Sequence, residues 1–489
     1  MITRRRLSRT VAAITCAAVP MPSLAQHAGA VIARSTPAAS RGTWLIRNGA
    51  VITVDPALGT LPRADILVQE GAIAAIGERL QAPGAEVIDA TDMIVMPGLI
   101  DTHYHMWSAL GRNFTGDGGF GYFAAKNATS PHYTPEDSYA SVLLGLAELA
   151  NAGITTVHNW SNNTRSPAHA DAELQAHRDS LLRARFAYGH PDLLDREALI
   201  DFADIVRVRR EWFGDGAPFE GLVHLGVNLR GMSQSAPEVF HHEMAMFKSL
   251  GLPGAIHAGQ SPPNINDAAD YERRGYLGPD LLICHYVVGS DEDFAAMART
   301  RTPLSFATHS ELRLGRAGDP RAALMRMRKA GLTISLSCDA SSLAPPNMLE
   351  LMRVTWNIGV PWQDTQSAGD RPIQFAEVIR MGTINGAVAL GLGEITGSLT
   401  PGKRADLILI RTTDINMAPM GVIETSVVQS ATAANIDTVM VDGRILKRGG
   451  RLVAFDVPRI VAAARAASHR IRAAAGGVLT PFVCADCGG

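Results

Sequence analysis

The feature that most constrains this chain is a rhythm. Between residues 93 and 337, short apolar runs recur eight times, separated by stretches of helical character: 93–100, 155–157, 186–188, 222–229, 253–256, 281–284, 304–307 and 333–337. Strands alternating with helices signal βα units and a parallel sheet. Two of the intervening helices carry start signals. Thr134-Pro135-Glu136-Asp137 supplies a cap, a first-turn proline and early acids, and Ser235-Ala236-Pro237-Glu238 resembles a capping box. Gly153 and Gly251 stand where those helices end. Eight units in roughly 300 residues fit a (β/α)₈ barrel, for which about 250 residues is typical. A doubly wound sheet is the competing α/β arrangement.

Outside this region the pattern is β-rich. Short strands at 44–47, 50–54, 66–69 and 73–76 are broken by Asn48-Gly49 and Glu70-Gly71, and similar ones return at 406–411, 438–441 and 444–447. Domain termini often lie close together, so the two pieces are expected to pair into one small β-sandwich. The resulting organisation is a sandwich from 43–95 and 396–454, a barrel over 96–395, and a C-terminal helix and tail over 455–489.

Residues 1–25 read as an export signal, followed by a linker over 26–42. Arg4, Arg5, Arg6 and Arg9 form a basic start, 11–19 an apolar stretch, and Ser23-Leu24-Ala25 a small-x-small cleavage site. Thr3-Arg4-Arg5-Arg6-Leu7 also resembles a twin-arginine signal, which places the expected location in the periplasm or outside the cell. The apolar stretch is short and interrupted by Pro20 and Pro22, so no permanent membrane anchor is expected. Removing the signal would take the net charge from −2 to −6, because four arginines leave with it.

With basic residues gathered only in short groups such as 207–210, a nucleic-acid partner is not expected; a small molecule is, and a homo-oligomer is compatible. Five cysteines are too few for a disulfide framework. Cys284 and Cys338 fall in apolar segments and are expected in the core. Cys484 and Cys487 have Cys-x-x-Cys spacing, but nothing nearby completes a zinc site, which leaves a local disulfide or an incidental pair.

Position, more than residue type, points to chemistry. His103 and His105 follow run one, His158 run two, His190 run three, Arg230 run four, His257 run five, His285 run six, His309 run seven and Asp339 run eight. In a barrel all of these sit at the C-terminal rim, where βα loops build active sites. Side chains two apart on an extended segment face the same way, so His103 and His105 can reach one ion. Neutral imidazoles with a carboxylate suit one divalent metal, Zn²⁺ first, with Fe²⁺ and Mn²⁺ also compatible. A metal with an open position makes hydroxide available near neutral pH, and Asp339 is placed both to bind the metal and to take the proton. Its alternative role is a helix cap before Ala340-Ser341-Ser342. His169, His177, His241 and His242 fall in helical stretches and are expected to be solvated.

Met96-Pro97-Gly98-Leu99-Ile100-Asp101-Thr102-His103-Tyr104-His105 resembles the entry motif of the amidohydrolase superfamily. The wider layout is similar to its cytosine deaminase and triazine chlorohydrolase branch. Further matches are Ala152-Gly153-Ile154-Thr155-Thr156-Val157, Ala255-Ile256-His257, Cys284-His285, Ser337-Cys338-Asp339, and the late Gly397-Ser398-Leu399-Thr400-Pro401-Gly402-Lys403-Arg404-Ala405-Asp406-Leu407, so that the resemblance covers about 43–454. It implies His103, His105, His257 and Asp339 as metal ligands, with His285 and Asp339 as catalytic residues. No lysine ends run four, where two-metal relatives carry a bridging group, which implies a single metal.

One departure bears on the reaction. Deaminases of that branch place a glutamate three residues after the third histidine ligand; this chain has Gln260, which can orient a substrate but cannot shuttle a proton. Gln260, Arg230, His158, His309 and Trp107 are the expected substrate-binding residues. Arg230 is either a substrate anchor for a carboxylate or carbonyl or a surface ion-pair residue, and Trp107 and Trp160 either line the pocket or pack in the core. The expected function is metal-dependent hydrolysis of a carbon–nitrogen bond in an amide, urea, carbamate or cyclic amide. A deaminase or chlorohydrolase of an N-heterocycle with a rewired proton path, a lactonase, a decarboxylase and a catalytically silent binding protein are the alternatives.

Overall fold

The computed structural model describes residues 40–114, 121–232, 234–258, 267–314, 318–360 and 371–477. The expected export segment 1–25, Gln260, and the pair Cys484 and Cys487 lie outside the described residues.

The described residues begin with five strands of an outer sheet: β1 (Trp44–Ile52), β2 (Thr60–Gln69), β3 (Ala72–Gly77), β4 (Glu86–Asp89) and β5 (Met93–Pro97). Eight parallel strands follow: β6 (Leu99–Tyr104), β7 (Ile154–Ser161), β8 (Arg183–Tyr188), β9 (Val223–Leu229), β10 (Gly254–His257), β11 (Leu281–Cys284), β12 (Leu304–Phe306) and β13 (Ile334–Leu336). They pair in sequence order, as the eight apolar runs imply, with helices between them. The two edges meet where Tyr104 bridges Asp339: His105 N donates to Asp339 O at 2.7 Å, and Asp339 N to His103 O at 2.9 Å. Lower down, Thr102 Oγ1 donates to Leu336 O at 3.0 Å and touches the hydroxyls of Ser305 and Ser335. The result is the barrel, with every strand's C-terminal end on one rim.

Four late strands, β14 (Leu407–Arg411), β15 (Ile436–Val441), β16 (Arg444–Arg448) and β17 (Arg451–Leu452), return to the outer sheet. The two β-rich ends join through β5 and β14, which pair antiparallel, in the order β17-β16-β15-β14-β5-β1-β2-β3 with β4 also on β1. It is one continuous mixed sheet of nine strands. Ile46 and Val68 from the first segment share a buried cluster with Leu407 and Met440 from the last.

The apolar run 93–100 is not one strand. It splits at Gly98 into β5 of the outer sheet and β6 of the barrel. A Cβ on Gly98 would lie 2.1 Å from Thr155 Oγ1, so a side chain there would block the crossing between the sheets. Gly98 N bonds to Asp406 O and Leu99 N to Gly153 O, which ties the crossing to both neighbours.

The helix Pro135–Asn151 starts as its sequence indicates, with Thr134 and Asp137 forming a reciprocal capping box. The helix Pro237–Leu250 does not: its N-cap is Ala236, without a side-chain cap bond. Two histidines expected in solvent are buried, because the helix Pro167–Ser180 turns that face inward. His177 Nε2 lies 3.1 Å from Asn159 Nδ2, and His169 bonds Ser166 and the Tyr133 carbonyl. Cys284 and Cys338 are buried free thiols. Among the described residues no helix is long and apolar enough to cross a membrane.

Candidate active site

The rim brings together the side chains that strand position singled out. His103 lies at the end of β6 and His105 just beyond it, with their Nε2 atoms 3.0 Å apart. His257, the last residue of β10, places its Nε2 3.2 Å from that of His103. Asp339 Oδ1 is 3.5 Å from His103 Nε2 and 3.3 Å from His105 Nε2. These donors form two groups that share His103, one with His105 and Asp339 and the other with His257 and His285.

The chemistry of these donors fits a metal. Metal–nitrogen bonds of about 2.0–2.1 Å in a tetrahedron put neighbouring donors roughly 3.3 Å apart. Burial, reinforced by the neighbouring imidazoles, holds His103 and His257 well below the usual histidine range, so both stay neutral and keep a lone pair to give. Asp339 is buried, which by itself would raise its pKa. The adjacent His105 and His285 and the hydroxyl of Ser310 more than offset this and keep it an anion. Ser310 Oγ donates to Asp339 Oδ2 at 2.5 Å, leaving Oδ1 toward the histidines. Among the described residues Asp339 caps no helix.

His285 sits just past β11, with Nδ1 2.7 Å from Glu311 Oε1. Burial pulls its pKa down, but Glu311 and Asp339 outweigh burial and push it up to about 8. His285 and Asp339 take φ of +74° and +64°, left-handed values uncommon for residues that carry a side chain. Trp160 packs its ring 4.7 Å from His103 and 4.0 Å from His257 and walls off one side of the cluster.

Several expected substrate contacts have other tasks. Arg230 is 1% exposed and spends its guanidinium on Glu243 at 2.6 Å and on the carbonyls of Asp195 and Ala198, so it is an internal tie rather than an anchor for an acidic substrate. His158 lies within β7, accepts from Arg185 Nε at 2.9 Å and meets Asn228 Oδ1 at 3.1 Å, which occupies both ring nitrogens. Trp107 is buried and donates to Asn162. His309 stands in the first turn of the helix Thr308–Leu314, with Nε2 3.8 Å from Glu350. Its neighbours Ser310 and Glu311 reach the site instead. His190 bonds the Pro191 carbonyl, and burial lowers its pKa to about 4.

Sequence reasoning also passed over Asp101. It is fully buried, accepts from His103 N at 3.1 Å and Cys338 N at 3.3 Å, and so braces the backbone of His103 and of the residue before Asp339. Burial raises its pKa to about 7. A charged residue directly after the apolar run 93–100, ahead of His103, was the available signal.

Residues 94–446 match the Amidohydrolase family, well over half of the chain. The chain belongs to this family. Among similar proteins, a 5'-deoxyadenosine deaminase of Methanosarcina acetivorans is 26% identical over 445 residues, covering 88% of this chain and 99% of that protein. A 5-methylthioadenosine/S-adenosylhomocysteine deaminase of Desulforudis audaxviator is 28% identical over 444 residues, covering 87% and 98%. In fold this amidohydrolase resembles a zinc-bound adenosine deaminase from Xanthomonas campestris, with a TM-score of 0.76, 20% identity and coverage of 88% and 98%. It also resembles a zinc-complexed atrazine chlorohydrolase from Arthrobacter aurescens, with a TM-score of 0.74, 22% identity and coverage of 87% and 100%. The rim cluster of this amidohydrolase is a site for a divalent metal ion.

Proposed function

We propose that this chain hydrolyses a carbon–nitrogen bond at an sp² carbon of a small molecule, using one divalent metal held by His103, His105, His257 and Asp339. The observation that carries the reading is the convergence of neutral imidazole nitrogens and one carboxylate oxygen at 3.0–3.5 Å on the barrel rim. A divalent ion there supplies Lewis acidity and activates water near neutral pH; zinc suits the donor set, and iron or manganese would take it too. Asp339, steadied by Ser310, is placed to accept a proton from the attacking water and return it to the leaving nitrogen. His285, oriented by Glu311, is placed to donate to the negative charge that develops on the substrate.

The preferred substrates are amides, ureas, carbamates and cyclic amides, because Gln260 lacks the acid that ring deamination uses. Deamination of an N-heterocycle is the second reading, favoured by the deaminases to which 87–88% of the chain is similar. The test is ammonia or amine release by zinc-loaded protein from a panel of amides, ureas, carbamates and cyclic amides, alongside 5'-deoxyadenosine and a chlorotriazine. Turnover within the first group, with Gln260→Glu improving only ring deamination, is the expected result. Turnover of 5'-deoxyadenosine alone would select the second reading, and substoichiometric metal without turnover would leave a catalytically silent binding protein. Export is proposed from residues 1–25 alone, and cell fractionation tests it.

A further inference from the structure

His105 is the end of a chain of polar groups that runs from the rim to the helix Tyr122–Thr129, and the proposed reaction does not use that chain. His105 Nδ1 lies 2.7 Å from Asn162 Oδ1, and the Trp107 indole N–H donates to the same oxygen at 2.5 Å. On its other side, Asn162 Nδ2 donates to Asp192 Oδ1 at 3.2 Å. Lys126 Nζ meets both Asp192 oxygens, at 2.6 and 2.5 Å. The side chains of Asp192 and Lys126 are only 4% and 14% exposed.

The donor and acceptor inventory leaves one arrangement. An ionised carboxylate only accepts and an indole N–H only donates. Asp192 therefore takes the amide hydrogens of Asn162, and Trp107 takes its oxygen. Both demands turn the same oxygen toward His105. The proton of His105 then resides on Nδ1, and Nε2 presents its lone pair to the side where His103 and Asp339 converge.

We infer that Lys126 and Asp192 are positioning residues for metal binding, acting through Asn162 to lock His105 in the Nδ1–H tautomer. Lys126 balances the Asp192 charge in a site that excludes solvent. With Asp192→Asn the partner both donates and accepts, so the Asn162 amide can turn over. An amide turned that way would hold His105 with its proton on Nε2, where it cannot bind a metal. The inference rests on reading His105 as a metal ligand.

The test is zinc affinity, with Zn²⁺ itself as the probe in competition against a chromophoric chelator, on the full chain after metal removal. Asp192→Asn is expected to weaken zinc binding about 10–100-fold, the usual cost of removing a partner that orients a ligand. Asp192→Asn with Trp107→Phe should weaken it further, Lys126→Met should follow the same direction, and Lys126→Arg should restore near-normal affinity. Asp406→Asn, which disturbs a buried ion pair elsewhere, serves as the control for general destabilisation. If the unaltered protein binds no zinc, the metal reading itself falls. If it binds zinc and Asp192→Asn binds within threefold, or if Asp406→Asn weakens binding equally, the tautomer lock is overturned. Should Asp192→Asn fail to fold, Lys126→Met and Trp107→Phe decide the matter in the same assay.

Discussion

Replacing Asp406 with asparagine should destabilise the protein strongly while leaving the metal site untouched. Asp406 belongs to the late motif, and its carboxylate holds Arg183 at 2.6 and 3.1 Å. The two side chains are 0% and 2% exposed. Arg183 opens β8, at the end of the strand away from the rim, so the pair joins the barrel to the outer sheet. Burial alone would lower the Arg183 pKa; Asp406 more than reverses this and keeps the charge in place. Asp406→Asn leaves that charge without a counterion and turns amide hydrogens toward the guanidinium. Breaking a buried pair in this way costs about 3–5 kcal/mol. Urea unfolding followed by tryptophan fluorescence should move its midpoint down by roughly 0.5–1 M, since the denaturant dependence steepens with chain length. The double change Arg183→Met with Asp406→Leu removes both charges and should recover more than half of the loss. A cost below about 1 kcal/mol for Asp406→Asn, or a double variant no better than the single, would refute the reasoning.

Three further outcomes can be checked. Glu311→Gln removes the carboxylate beside His285 and should lower turnover about 10–100-fold at saturating metal, measured by steady-state kinetics; unchanged turnover would end the orienting role given to Glu311. Arg230→Met leaves Glu243 buried and unpaired and should cost about 3–5 kcal/mol in urea unfolding with turnover per folded molecule preserved, whereas a raised KM confined to acidic substrates would return Arg230 to the substrate. Glu173, whose pKa burial pushes up to about 7, holds its proton in the folded state over a range where the unfolded chain has lost it. Its contribution to stability is therefore complete below about pH 4.3 and disappears as pH rises through about 7, a loss on the order of 3 kcal/mol. Glu173→Gln should flatten that decline, seen as a smaller difference in apparent Tm between pH 5 and pH 8 than in the unaltered chain.

The barrel was legible because parallel strands are buried on both faces and read as unbroken apolar runs. Their order in the sheet follows chain order, so the residue after each run falls on one rim. That topological argument placed His103, His105, His257, His285 and Asp339 on the rim together with His158, His190, Arg230 and His309, and the family resemblance picked out the first five. It failed where direction depends on something other than a strand end. In residues 93–100 only the Pro97-Gly98 dipeptide marks a break, and that the two halves join different sheets shows only in the strand pairing, β5 with β14 and β6 with β7. Run seven led to His309, yet β12 ends at Phe306 and a helix has begun by residue 308. Successive helical side chains point about 100° apart, so Ser310 and Glu311 turn inward while His309 turns toward Glu350. The role of Arg230 stayed open, and its ion pair was expected on the surface, for a related reason, since its partner Glu243 lies on the following helix, where no strand rule applies. Of the groups that steady the site, Asp101 lies on β6, but Asn162, Asp192, Lys126 and Glu311 lie off the strands. A single chain therefore discloses metal chemistry through strand ends more readily than it discloses substrate choice, which depends on loops and on residues such as Gln260. The reaction class is accordingly better determined than the substrate, and the zinc titration and the substrate panel test those two levels separately.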